Sequence, residues 1–215
     1  DGAPFGSLAV NARVGALFGS CPSLEFLSLK GCGIGDAGLE ALAKSAFEGG
    51  KCGLKELVLM SNKVTAVGML SMLLCEGLSL HTVQLLDNEL GDDGVINMAI
   101  TLSEAATSGQ VVCQDLVDID LGKNRLTETG ALHLLIAIRD HPSLFPTLKT
   151  LGLGAHPDIK GDSTEWVQCV EALEGRAVPL DVVWQVGMGQ GSKEETDRIQ
   201  RETMAELSHN MPQIP

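Results

Sequence analysis

Gly33-Ile34-Gly35-Asp36-Ala37-Gly38 is a literal GxGxxG, set between an alternating apolar run and a run with helical spacing. In that setting the motif cradles a dinucleotide pyrophosphate, because glycines let the backbone approach phosphates at a helix N-terminus. Asp118 and Asp120 alternate along a predicted strand and so share one side of it. Paired carboxylates can do acid/base work. The six cysteines (Cys21, Cys32, Cys52, Cys75, Cys113, Cys169) and five scattered histidines are the other side chains able to bind a metal or act as nucleophile and base.

Context removes most of this chemistry. The cysteines lie far apart, with no C-x-x-C pair and no histidine at zinc-ligand spacing, so no metal site is expected. Most fall in apolar or helix-end contexts, where a free thiol acts as a small hydrophobe, which points to a reducing, cytoplasmic compartment. There is no GxSxG elbow, no Walker loop and no HExxH. The Asp118 and Asp120 pair has no partner base and reads as a solvated acidic patch. Neither catalysis nor a cofactor is expected.

A chain of 215 residues with 44% hydrophobic content can bury one domain or one repeat array. It begins with Asp1 rather than Met, as a fragment or a processed chain would. No apolar run reaches the roughly 18 residues that a membrane span requires. A net charge of −13 argues against nucleic acid. It serves solubility first, and its functional reading is a preference for a basic partner.

The elements that position these residues recur. Four segments align without gaps: LEFLSLKGCGIGDAG from Leu24, LKELVLMSNKVTAVG from Leu54, LHTVQLLDNELGDDG from Leu80 and LVDIDLGKNRLTETG from Leu116. Their frame is L-x-x-[LVI]-x-L-x-x-[NC]-x-[ILV]-x-x-x-G. A fifth copy from Leu148 has His156 in the asparagine slot, an extra residue before Ile159, and Ser163 where glycine is due. A partial sixth, LDVVW from Leu180, supplies a last strand. Repeat starts are 30, 26, 36, 32 and 32 residues apart. Each unit alternates like a half-buried strand and then turns helical, with Leu39, Leu42 and Ala43, and their counterparts after Gly68, Gly94 and Gly130, on one helix face. One such unit cannot bury its apolar face alone, but stacked units share a core.

The frame resembles the leucine-rich repeat family, in its long, helix-containing, ribonuclease-inhibitor-like class. The resemblance implies an α/β solenoid, a horseshoe arc with parallel strands on the concave face and helices on the convex one. It covers residues 24 to 185. Residues 1 to 23 hold the helix of a preceding or N-terminal capping repeat, and residues 186 to 215 a closing helix and tail, with Ser192 and Glu195 at capping-box spacing.

The repeat reassigns the glycine loop. Only Gly38 recurs in every full copy, while the slots of Gly33 and Gly35 hold Lys63 and Thr65, Glu89 and Gly91, and Arg125 and Thr127. A phosphate cradle does not recur with lysine, glutamate and arginine in its turn, and no acid ends the next strand as a dinucleotide fold requires. Gly38 is expected at a strand-to-helix turn, with Gly33 and Gly35 as local variation. Asn62, Asn88 and Asn124 are expected to satisfy backbone groups where the chain leaves each strand, and Cys32 to fill space. His156 is expected to substitute structurally for asparagine. Asp92, Asp93 and Glu128 fall at helix starts, where acids act as caps.

Function is then sought in the variable strand positions. The third, fifth and seventh positions place Phe26, Lys30, Glu56, Val58, Met60, Gln84, Leu86, Asp118, Asp120 and Trp184 on the concave face, as candidate partner-binding residues. Phe26, Val58, Met60 and Leu86 are expected to form an exposed apolar patch. Gly152 and Gly154 are expected to leave a bare strip beside the two aspartates, with Trp184 beyond it as an anchor. The expected function is non-catalytic protein binding, with oligomeric state open. The alternatives are a small-GTPase regulator, since a resembling family of activators uses this repeat type, or a structural subunit of a cytoskeletal or ciliary assembly.

Overall fold

A computed structural model of the chain describes Cys21 and residues 23–47, 52–110 and 112–184. All of them belong to the unit Asp1–Trp184. The expected helix of residues 1 to 23 and closing helix of residues 186 to 215 lie outside the described residues, apart from Cys21 and Ser23.

Six strands and five helices alternate along the described chain: β1 (Phe26–Ser28), α1 (Gly35–Phe47), β2 (Glu56–Val58), α2 (Ala66–Leu73), β3 (Thr82–Gln84), α3 (Asp92–Thr107), β4 (Asp118–Asp120), α4 (Glu128–Asp140), β5 (Thr150–Gly152), α5 (Thr164–Glu174) and β6 (Asp181–Val183). The strands pair in chain order into one parallel sheet. Phe26 pairs with Glu56, Glu56 with Thr82, Thr82 with Asp118 and Asp118 with Thr150, so the repeat frame sets the register. Each helix packs against its neighbours in sequence. This is the parallel α/β repeat solenoid that the sequence implies.

The core lies between sheet and helices. Leu57, Val83, Ile119 and Leu151, at the centres of β2 to β5, are buried, and so are all twelve helix positions counted from the recurrent glycines, from Leu39 to Leu135. Full burial of one such leucine contributes about 1.5 to 3 kcal/mol. Leu27, on the terminal strand β1, is only half-buried.

Each of the strands β2 to β5 leads into a side chain that ties it to its neighbours. The Asn88 amide donates to Leu59 O (2.9 Å) and Leu85 O (2.8 Å), and its Oδ1 accepts from Asn62 N (3.0 Å) and Val64 N (2.9 Å). Asn62 donates to Leu29 O and accepts from Ile34 N. Asn124 donates to Leu85 O and Leu121 O and accepts from Leu90 N. All three are buried. His156 ends the series. Its Nε2 accepts from Asn124 N (2.7 Å) and its Nδ1 faces Leu153 O (2.9 Å), so the imidazole does structurally what an amide does elsewhere. Cys32 makes one long contact, Sγ to Lys30 O at 3.6 Å, and packs partly against the core.

The residue before each of these side chains is left-handed: Gly31, Ser61, Asp87, Lys123 and Ala155 all have φ between 50° and 67°. Gly33, Lys63 and Arg125, one position after the slot, share that conformation. Gly33 is therefore the relaxed member of a recurring strained pair rather than local variation. Gly35 and Gly91 are left-handed too, where α2 and α4 have an extended N-cap threonine.

The recurrent glycine has a different cause from the one expected. Gly38, Gly68, Gly94 and Gly130 lie inside helices. A Cβ on Gly68 would strike the Asp36 carboxylate, and one on Gly130 the carboxylate of Asp92. A Cβ on Gly94 would stand 2.9 Å from that of Ala66. At Gly68, Gly94 and Gly130, close approach of successive units at the first helical turn excludes a side chain.

Those carboxylates explain the approach. Asp36 accepts from Thr65 N (2.7 Å) and Thr65 Oγ1 (2.6 Å), and Asp92 accepts from Thr127 N (2.8 Å) and Thr127 Oγ1. Glu128 accepts from Gly161 N (2.9 Å). Hydrogen bonds from the Ser163 hydroxyl first, and then from Gly161 N–H, hold its carboxyl below the usual range. Asp92 and Glu128, expected to cap their own helices, thus reach forward to the start of the next one, as Asp36 does. Asp93 is exposed. Between α2 and α3 acid and hydroxyl are both missing, replaced by Ala66 and Gly91.

Two stability measurements check this account. Asn88→Ala strands several buried backbone groups and is expected to lower the urea unfolding free energy by about 1 to 3 kcal/mol or more. Gly130→Ala would ordinarily strengthen a helix by up to about 1 kcal/mol. Here it is expected to lower the urea midpoint, and a raised midpoint would refute the close-contact account.

Candidate functional site

The face of the sheet away from the helices is built by the first and third residues of each short strand and by the residue two positions after it. Phe26 is 52% exposed. Lys30 and Ser28 beside it are exposed as well. Glu56, Met60, Gln84 and Leu86 are half-buried. These residues form one end of the face. The other end is acidic and low, with Asp118, Asp120, Thr150 and Gly152 on adjacent strands.

Two of the ten candidate residues are placed otherwise than expected. Val58 is on this face but buried, at 7% exposure, so of the four residues expected in the apolar patch only Phe26, Met60 and Leu86 keep accessible surface. Its short β-branched side chain sits in register between Ser28 and Gln84, which leaves little of it accessible. Trp184 is not an anchor on the face. Thr150 pairs with Asp181, 31 residues on, rather than with Val182 at the 32-residue repeat distance. The sixth copy is one residue short, so the side chains from Asp181 to Trp184 change side. Val182 is buried in the core. Asp181 and Val183 occupy the outward positions. Trp184 packs against the core and meets the fully buried Trp166 edge to face, ring centroids 5.3 Å apart.

At Gly152 the expected bare strip is filled. A Cβ on Gly152 would stand 2.9 Å from Asp120 Oδ1, and one on Gly122 would stand 2.6 Å from Leu86 Cδ1. The glycines give Asp120 and Leu86 room to lie across them. Asp120 Oδ1 accepts from Gly122 N at 2.9 Å. Burial raises its pKa above the ordinary 3.8, while that hydrogen bond and the charge of nearby His156 pull it back. His133 is exposed with Nδ1 at 2.8 Å from Thr129 O. His141 is the half-buried C-cap of α4.

The sequence reading missed the supports of this face. Arg176 lies in the turn after α5 and donates to Phe145 O (2.6 Å) and Leu148 O (3.3 Å), bracing the approach to β5. Desolvation lowers its pKa. A helix-side groove of about 560 Å³ between α3 and α4, lined by Ala99, Ile100, His133 and Ile136, was not anticipated either. It exists because α3 is long: the insertion from Ser103 to Thr107 continues the helix before the turn at Gly109. None of the six cysteines is in a disulfide. Among the described residues no three histidine, cysteine or acidic side chains converge as metal ligands, and no helix is long and apolar enough to cross a membrane.

A family model described as Leucine Rich repeat matches residues 20–43. The chain is 29% identical over 188 residues to the ribonuclease inhibitor of Sus scrofa, covering 75% of this chain and 39% of that protein. It therefore spans well under half the length of that curated relative. Among solved structures it is similar to the tropomodulin C-terminal domain of Caenorhabditis elegans, with a TM-score of 0.51 and 15% identity, covering 89% of this chain and 97% of that one. That likeness is one of fold.

Asp120 gives a pH test. Its folded pKa is raised, so the folded state binds the proton more tightly, and the charged carboxylate weakens the fold above that pKa. Asp120→Asn keeps an oxygen for Gly122 N–H and loses the charge. The variant is expected to melt higher than the parent chain at neutral pH. The gap should close as pH falls through the folded pKa towards 3.8. A lower melting temperature for the variant at neutral pH would contradict this.

Proposed function

Because the chain carries leucine-rich repeats of the ribonuclease-inhibitor-like class, we propose that it is a non-catalytic interaction module whose open sheet face binds another protein in a reducing, cytoplasmic setting. The observation that supports this most is the division of labour inside each strand. The central residue is fixed by the core, while its neighbours vary from unit to unit and point away from it. A face assembled from variable, partly exposed side chains on a rigid sheet can present a shaped surface without any enclosed pocket. The relative it matches is, by name, an inhibitor of a ribonuclease, which is itself a protein.

The surface has two characters. Phe26, Met60 and Leu86 offer apolar area next to Lys30, and aromatic and methionine side chains are favoured at the centres of interfaces. Glu56, Asp118 and Asp120 offer negative charge, in keeping with the net charge of −13. That combination suits a partner with an apolar contact and a basic flank. Electrostatics of this kind act mainly on association rate and on partner choice.

Phe26→Asp and Met60→Asp are expected to abolish or strongly weaken capture of the partner from native extract, read by affinity purification with quantitative mass spectrometry. Val67→Asp, on the exposed side of α2, is the control and should retain it. All three variants are expected to keep their unfolding free energy within about 0.5 kcal/mol, since none fills the core. Loss of the same partner with Val67→Asp, and its retention with both sheet-face variants, would move the binding site to the helices.

A further inference from the structure

Among the side chains that close the strands, three are amides with a fixed donor and a fixed acceptor. One is an imidazole, whose acceptor exists in only one protonation state. Leu153 O can only accept, so the proton on His156 must be on Nδ1. Asn124 N–H can only donate, so Nε2 must carry a free lone pair. The two contacts therefore require the neutral Nδ1–H tautomer. No rotation of the ring satisfies both neighbours once Nε2 is protonated. An asparagine in the same slot meets both demands at any pH, as Asn62, Asn88 and Asn124 do.

From this geometry we infer that His156 is a proton-sensitive latch between the fourth and fifth repeats. Protonation at Nε2 replaces an N–H···N hydrogen bond with two donors facing each other at 2.7 Å, and the Asn124 amide is released. Asn124 is itself the amide that binds Leu85 O and Leu121 O and accepts from Leu90 N, so its displacement loosens the turn after β4. Among the described residues, the charged group that interacts electrostatically with the ring is Asp120 of β4. In the histidine's own turn the charged residues are Asp158 and Lys160, both exposed. Asp120 offers the imidazolium a counter-charge inside the folded unit, so the opening is local and does not require the array to unfold. The same carboxylate lies across Gly152 on the sheet face. A proton taken up at His156 thus reaches the acidic end of that face through Asp120. Histidine side chains ordinarily change charge between about pH 5 and about pH 8, which sets the range over which the latch is tested.

Amide hydrogen exchange of the whole chain, followed by NMR alongside the ring signals of His156 across that pH range, tests the latch. With rates corrected for intrinsic exchange, protection of the Asn124 amide should fall about tenfold or more as the His156 ring becomes protonated, the equilibrium worth of roughly one hydrogen bond. The Asn62 amide, held by Asn88 rather than by a histidine, should keep its protection over the same range. In His156→Asn the Asn124 amide should stay protected throughout. Three outcomes would overturn the inference: a ring that stays neutral until the whole chain unfolds, a loss of protection equal at Asn62 and Asn124, or the same loss in His156→Asn.

Discussion

The structure depends on one problem that parallel stacking creates at every strand end. Where the chain turns from sheet to helix, backbone carbonyls and amides are pulled out of the ladder while still enclosed between repeats, and buried groups of that kind must be paired. A buried amide side chain on the exit residue meets the need in both directions. Its nitrogen gathers carbonyls from its own unit and the preceding one, and its oxygen gathers the amides of the preceding turn. The left-handed residues on either side follow from this arrangement. Lysine, arginine and alanine accept an unfavourable backbone conformation because the amide or imidazole beside them can reach its partners only if the chain doubles back there.

A second set of contacts does for the helices what the amides do for the strands. An acid in the first turn of one helix binds the backbone N–H and hydroxyl of the threonine that opens the next. The glycine three positions after that threonine clears space for the acid. Acid, threonine and glycine are therefore one device distributed over two units. Where the acid is missing, in α2, its receiving hydroxyl is missing as well, and Gly91 stands in its place. The sheet face inherits its regularity from both systems. Neighbouring side chains on it keep a fixed spacing because the strands beneath cannot slip.

The fold was legible because its signal is repeated. Six frame positions recur four times, and the burial of Leu57, Val83, Ile119 and Leu151 follows from their place in it. His156 was legible as a structural substitute because a repeat makes an exception visible. The forward reach of Asp36 and Asp92 was present in the sequence only as a correlation between one unit and the next, acid with threonine and alanine with glycine. Reading each unit by itself hides that pairing. The exposed residues were legible as a set, since alternation decides which side chains leave the core. How far they are exposed was not, because Val58 and Asp120 are covered by their neighbours. Trp184 was misplaced for a different reason: in a partial copy the frame has too few fixed positions to reveal a missing residue.

That missing residue has a wider meaning. A strand has only two sides, so deleting one position acts on everything downstream as a change of parity. Aromatic area that would have faced outward is turned inward to meet Trp166, and an aspartate and a valine face outward in its place. No residue type has to be exchanged for this to happen. In a chain that grows by copying units, a one-residue slip can exchange inside for outside in a single step, and the parallel pairing survives it.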